Sequence, residues 1–120
     1  MSEKHGSHWL EREDVGEVTV VRLKTPKVLD EDTIRAAFDP IHTISGLGRN
    51  RLVLNLAAVE HLPSMALGKL VMLNRKAQAG NGRLALCQLS PPVMEILETT
   101  HLNELLNIYA TEEEALQSFS

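Results

Sequence analysis

Three short apolar runs set the limits on what this chain can fold into: VTVVRL (Val18–Leu23), RLVLNLAAV (Arg51–Val59) and RLALCQL (Arg83–Leu89). Each is rich in Val, Leu or Ile and is the length of a strand. RLVLNLAAV opens as a nearly continuous apolar run, the pattern of a strand covered on both faces, as in a parallel sheet sandwiched by helices. Stretches of helical periodicity separate the three. Strand–helix alternation of this kind predicts right-handed crossovers and a mostly parallel sheet.

The first helix is expected from Asp30. Asp30 caps it, Glu31 and Asp32 suit the positive end of its dipole, and Ile34, Ala37, Phe38 and Ile41 form its buried face. Pro40 predicts a kink or an early stop. The second helix is expected at about 65–79, with a stripe of Leu67, Leu70 and Val71 and two glycines after it in AGNG. Ser90 can cap a third helix with Pro91 in its first turn and Val93, Ile96 and Leu97 facing inward. THLNELL reads as a short turn, NIYA as a short last strand and TEEEALQSF as a final helix. Thr111 and Glu114 there match the T-x-x-E capping box.

HWLERED, ahead of the turn at Val15 and Gly16, reads as a strand antiparallel to VTVVRL. The expected architecture is therefore α/β: one domain over residues 1–120, a mixed, mostly parallel sheet of four to five strands, and about four helices. Residues 1–8 are polar and expected to be disordered.

Composition narrows the function classes. The formal net charge is −4, which opposes phosphate-driven nucleic-acid binding. There is one cysteine, Cys87, so no internal disulfide can form, and a reducing, cytoplasmic setting fits. Cys87 lies in a strand and reads as an inert core residue. The N-terminus lacks the apolar segment of a signal peptide, and no apolar run is long enough to span a membrane. His5, His8, His42, His61 and His101 form no metal-ligand spacing, so no metal or cofactor is expected. No phosphate loop, dinucleotide fingerprint or nucleophile elbow occurs. His61 lies three residues before Ser64, but sequence neighbours rarely supply the geometry of a nucleophile and its base. Glu112, Glu113 and Glu114 read as the solvated first turn of a helix. The residues point to a binding domain and not an enzyme.

The element order and several local motifs together resemble the STAS domain, and within it the anti-sigma factor antagonists. LVLNL stands for the family's V-L-D-L strand, PSMALG for its D-S-S-G-L-G, and NRKAQAGNGRLALCQLSPPV and EEEALQSF for its later runs. Leu29 and Asp30 match an early L-D. The aspartate and second serine of D-S-S-G are Pro63 and Met65 here, Ala66 stands for its glycine, and Asn55 replaces a strand-ending aspartate.

The resemblance implies binding to an anti-sigma factor of histidine-kinase-like ATPase type that is also a serine kinase. It implies phosphorylation at Ser64 and reversal by a metal-dependent serine phosphatase. The implied partner surface comprises Asp30, Pro63, Ser64, Met65, Ala66, Leu67 and Gly68, and homodimerisation is open. The competing reading is a scaffold or interaction module, stressosome-like or in another assembly, without phospho-switching. In that case Ser64 is simply a helix cap. A third class, a small-ligand or nucleotide-binding domain, lacks a phosphate loop. Gly68 allows either close packing of helix on sheet or close approach of a partner.

Overall fold

The computed structural model describes residues 10–24 and 30–119, and the backbone of residues 2–6. Among the described residues the chain forms a six-stranded sheet whose spatial order is the order of the chain. The strands are β1 (Ser2–Gly6), β2 (Leu10–Val15), β3 (Val18–Leu23), β4 (Arg51–Asn55), β5 (Arg83–Cys87) and β6 (Asn107–Tyr109). β1–β2 and β2–β3 are antiparallel, while β3–β4, β4–β5 and β5–β6 are parallel. The helices are α1 (Glu31–Gly46), α2 (Ser64–Ala79), α3 (Pro91–Thr99) and α4 (Glu112–Gln117), with a 3-10 turn at Leu102–Glu104.

The sheet has one strand more than expected because Ser2–Gly6 pairs with β2. This corrects the expectation of disorder over residues 1–8 for that segment; Met1, Ser7 and His8 lie outside the described residues. SEKHG is polar because an edge strand needs no apolar face to pair through its backbone.

Crossover handedness decides which face each helix covers. α1, α2 and the α3 segment each link neighbouring parallel strands in the same direction, so right-handed crossovers put all three on one face. That face carries Val21, Leu23, Leu52, Leu54, Leu84 and Leu86, all buried in one cluster with the helices. α4 follows the last strand and lies on the other face, where Ala115 joins Val18, Val20, Val53, Ala85 and Cys87. Period-two alternation along each strand divides its residues between the two cores. Cys87 is fully buried in the second one, and burial pushes its thiol up to about 12. Glu112 adds to that shift and Arg22 opposes it. The thiolate needed for reaction is therefore scarce.

α1 runs unbroken past Pro40, contrary to the expected kink or stop. Pro40 and Ala36 are both exposed, so the carbonyl that loses its partner faces water. Ile34, Ala37 and Phe38 before the proline and Ile41 and Ile44 after it hold both halves against the sheet. In α2 the buried stripe is Ala66, Leu70, Leu73, Asn74 and Ala77, rotated from the expected one; Leu67 and Val71 are only half-buried. In the capping box at α4 only the return bond is shifted by one residue. Thr111 accepts from the Glu114 N–H at 3.1 Å, while Glu114 accepts from the Ala110 N–H at 3.2 Å.

Candidate partner-binding site

Parallel strands whose crossover helices share one face deliver those helices at a single edge. β3, β4 and β5 lead here to the starts of α1, α2 and α3, at Glu31, Ser64 and Pro91. Three positive helix ends therefore share the carboxyl edge of the sheet.

The connection from β4 to α2 is short of freedom. Leu56, Val59 and Leu62 are buried, so it carries three apolar anchors. The Leu56 N–H donates to the Cys87 carbonyl at 3.1 Å, and the Val59 N–H to the Leu56 carbonyl at 3.0 Å. Asn55 Oδ1 accepts from the Ala57 N–H at 2.9 Å. Ser90 adds a tie from the next loop. Its hydroxyl donates to the Val59 carbonyl at 3.1 Å and makes no cap bond at its own helix, which differs from its expected role. Gln88, with φ at 57°, turns the chain off β5 toward Ser90.

This framework fixes the residue at the start of α2. Pro63 occupies the cap position, with φ −69° and ψ 163°, and has no side-chain acceptor to offer. Its carbonyl accepts from the N–H groups of Ala66 at 2.9 Å and Leu67 at 3.2 Å. Ser64 is thus the first helical residue and not the cap, which removes the plain capping role read from the sequence. The reason is proline's fixed φ, which suits the extended cap conformation as well as it suits a first helical position. Ser64 is exposed. The N–H groups of Ser64 and Met65 meet no protein acceptor among the described residues.

The other expected contact residues divide by burial. Pro63, Met65 and Leu67 are half-buried, and the latter two pack partly against the core. Ala66 is fully buried and can offer nothing to a partner, so its expected place on the partner surface is corrected. It falls on the inner face because it sits four residues ahead of Leu70. Gly68 is exposed, and a Cβ added to it would meet nothing within 4 Å. Close packing on the sheet therefore does not explain this glycine. Asp30 is exposed and caps α1, its Oδ1 accepting from the Thr33 N–H at 2.7 Å. That bond holds its carboxyl below the ordinary value. Leu29 lies outside the described residues.

Sequence reasoning missed a polar network on the opposite face of the same strands. Arg22 Nε donates to Glu112 at 2.9 Å, and its Nη2 donates to Glu13 at 3.0 Å. Asn55 Nδ2 donates to the same Glu112 oxygen at 2.9 Å. Glu112 is therefore an anchor as well as a first-turn residue. The available signal was the lone arginine inside VTVVRL. Ile96 was also misplaced: it is half-exposed, while Val93 and Leu97 are the buried residues of α3. Among the described residues no three His, Cys, Asp or Glu gather as metal ligands, and no helix is long and apolar enough to cross a membrane.

Comparison with solved structures places this geometry. The chain is similar to a Thermotoga maritima protein assigned as an anti-sigma factor antagonist, at 25% identity, with 92% of this chain and 94% of that one covered and a TM-score of 0.81. It is similar to the Bacillus cell fate determinant SpoIIAA in its phosphorylated form, at 25% identity, 92% and 99% coverage and a TM-score of 0.71. SpoIIAA in its unphosphorylated form, an anti-sigma factor antagonist, matches at 25% identity, 92% and 95% coverage and a TM-score of 0.76. The STAS domain family model matches residues 9–115, nearly the whole folded unit, and the chain belongs to the STAS domain family.

Proposed function

We propose that this domain is a non-enzymatic anti-sigma factor antagonist. It binds an anti-sigma factor of histidine-kinase-like ATPase type that is also a serine kinase, and phosphorylation at Ser64 ends the interaction. A metal-dependent serine phosphatase restores it. The observation that carries this reading is the position of Ser64: exposed, first in α2, with its hydroxyl not used as a cap.

The physics of the switch is local. A phosphate on Ser64 adds about −1.5 to −2 charges at neutral pH. It lies at a positive helix end with N–H groups of Ser64 and Met65 to meet it, so α2 tolerates the change. The cost falls on the partner, which must bury a charged group where it met a small hydroxyl. Affinity drops without refolding of the antagonist. The similarity to SpoIIAA, solved in phosphorylated and unphosphorylated forms, supports this reading.

The test is incubation with the cognate kinase and ATP, with phosphate located by mass spectrometry. Phosphate is expected on Ser64, and Ser64→Ala is expected to abolish it with unchanged circular dichroism. Efficient labelling of Ser64→Ala would refute the switch. The absence of a carboxylate at Pro63 favours a second reading, a STAS interaction module that assembles without switching. It is distinguished by Ser64→Asp, which then leaves partner affinity unchanged, and by a light-scattering mass above that of one chain.

A further inference from the structure

A groove of about 380 Å³ opens between the β4–α2 connection and α3, lined by His61, Pro92, Glu95, Ile96, Thr99 and Thr100. It exists because α3 turns only Val93 and Leu97 fully into the core. Ile96 is left half-exposed, and Pro92, Thr99 and Thr100 are exposed around it. The pyrrolidine ring, the Ile96 side chain and the threonine methyls give the groove an apolar floor.

Glu95 lines the groove, Glu98 follows it on α3 and Glu60 directly precedes the lining His61. From Leu84 to Ser120 the chain contains no lysine or arginine, while Glu95, Glu98, Glu104, Glu112, Glu113 and Glu114 all fall there. Glu112 is joined to Arg22, and Glu104 lies 3.6 Å from His101. Glu95 and Glu98 on α3, and Glu60 ahead of His61, are exposed and in no ion pair among the described residues. An apolar floor beside unpaired carboxylates is complementary to an apolar side chain flanked by cations. Nucleic acid is disfavoured by the same carboxylates. The groove is open and shallow, unlike the enclosed cavities that bury small ligands.

We propose that this groove docks a short segment of a protein partner in which lysine or arginine flanks an apolar anchor. The anchor sits over Ile96 and Pro92, and the cations face Glu95 and its neighbours.

The test uses the whole unphosphorylated chain, labelled with nitrogen-15, and three short synthetic peptides. One has a central leucine flanked by arginines; in the second, glutamates replace the arginines; in the third, serine replaces the leucine. The first peptide is expected to shift the amides of His61, Glu95, Ile96, Thr99 and Thr100, and the other two to leave them in place. Glu95→Lys and Thr99→Lys, both at exposed positions, are expected to weaken the first peptide by at least about tenfold with an unchanged thermal melt. Ser64→Ala is expected to bind it as the parent does, which separates this result from the phospho-switch. Shifts elsewhere, no shifts from the first peptide at millimolar concentration, or binding of either control peptide as tight as that of the first would overturn the proposal.

Discussion

Arg22 and Glu112 are ninety residues apart in the chain, yet Arg22 Nε donates to the Glu112 carboxylate at 2.9 Å. The pair joins β3 to the start of α4, with Glu13 and Asn55 completing the bonds. α4 has only six residues and one fully buried side chain, Ala115. Its hold on the sheet therefore rests heavily on polar contacts at its ends. At the far end, Arg83 donates to the Ser118 carbonyl at 2.7 Å and lies 4.3 Å from the centre of the Phe119 ring.

Removing the first clamp is expected to cost about 1–3 kcal/mol, because the remaining half-buried carboxylates lose their cation. Arg22→Met measured by urea denaturation checks this. Asn55→Asp is expected to destabilise as well, by setting a second carboxylate against Glu112. The double variant Arg22→Met with Glu112→Gln should lose less than the sum of the two single losses. Strict additivity would show that the pair is not coupled.

Gly82→Ala is expected to be among the most damaging small substitutions in this chain. A Cβ there would lie 1.9 Å from the Asn50 carbonyl oxygen, which is itself fixed by the Arg83 N–H at 2.9 Å. Backbone must move, so a loss of roughly 2–3 kcal/mol is expected. Gly80→Ala should cost less, since its Cβ would meet the Asn50 side chain instead. Paired thermal melts give the ranking, and equal midpoints would contradict it.

Gly68→Ala should do the opposite to stability. The added methyl meets nothing within 4 Å, and alanine is favoured over glycine in a helix by about 0.5–1 kcal/mol. The melting temperature is expected to rise while affinity for the proposed anti-sigma partner falls, because the methyl projects beside Ser64. A rise in both would show that the partner does not approach this turn.

Acid stability should depend on Asp14 and Asp30. Partial burial raises the Asp14 carboxyl, but hydrogen bonds from Arg12 and Thr19 and the charges of Arg12 and Arg49 outweigh it, and the net shift is downward from 3.8. The bond from the Thr33 N–H lowers Asp30 from the same value. With the folded value depressed, the unfolded chain binds more protons in this range, so stability rises with pH. The contribution is complete above the ordinary value of 3.8 and is lost as pH falls through the folded values. Melts between about pH 2 and 7 should show a shallower acid limb for Asp14→Asn and Asp30→Asn. Asp30→Asn should cost little at neutral pH, since asparagine also caps.

The central strands were legible because doubly covered strands must be apolar, and VTVVRL, RLVLNL and RLALCQL could be little else. β1 was not, because SEKHG pairs through its backbone at an edge and needs no apolar pattern. Helix starts were placed to within a residue, but their chemistry was not. Serine at a helix start predicts a cap, yet Ser64 sits one position inside, and Ser90 turns its hydroxyl to Val59. Both outcomes depend on neighbouring loops, which a local pattern does not contain. Ile96 was misassigned for a related reason: helical spacing fixes which residues share a face, while tertiary packing fixes how that face is turned.

The strand order carries a consequence for how the domain is made. Because each strand lies beside its predecessor in the chain, a sheet emerging from the ribosome can grow by simple accretion, every new strand finding its template already laid. Only the two antiparallel pairings are local; each parallel one must first span a crossover, Val18 meeting Arg51 and Arg51 meeting Arg83, the kind of pairing that forms more slowly. The valine-rich side of that growing sheet stays uncovered until α4 emerges and swings across, so the shortest helix is the one that closes the second core.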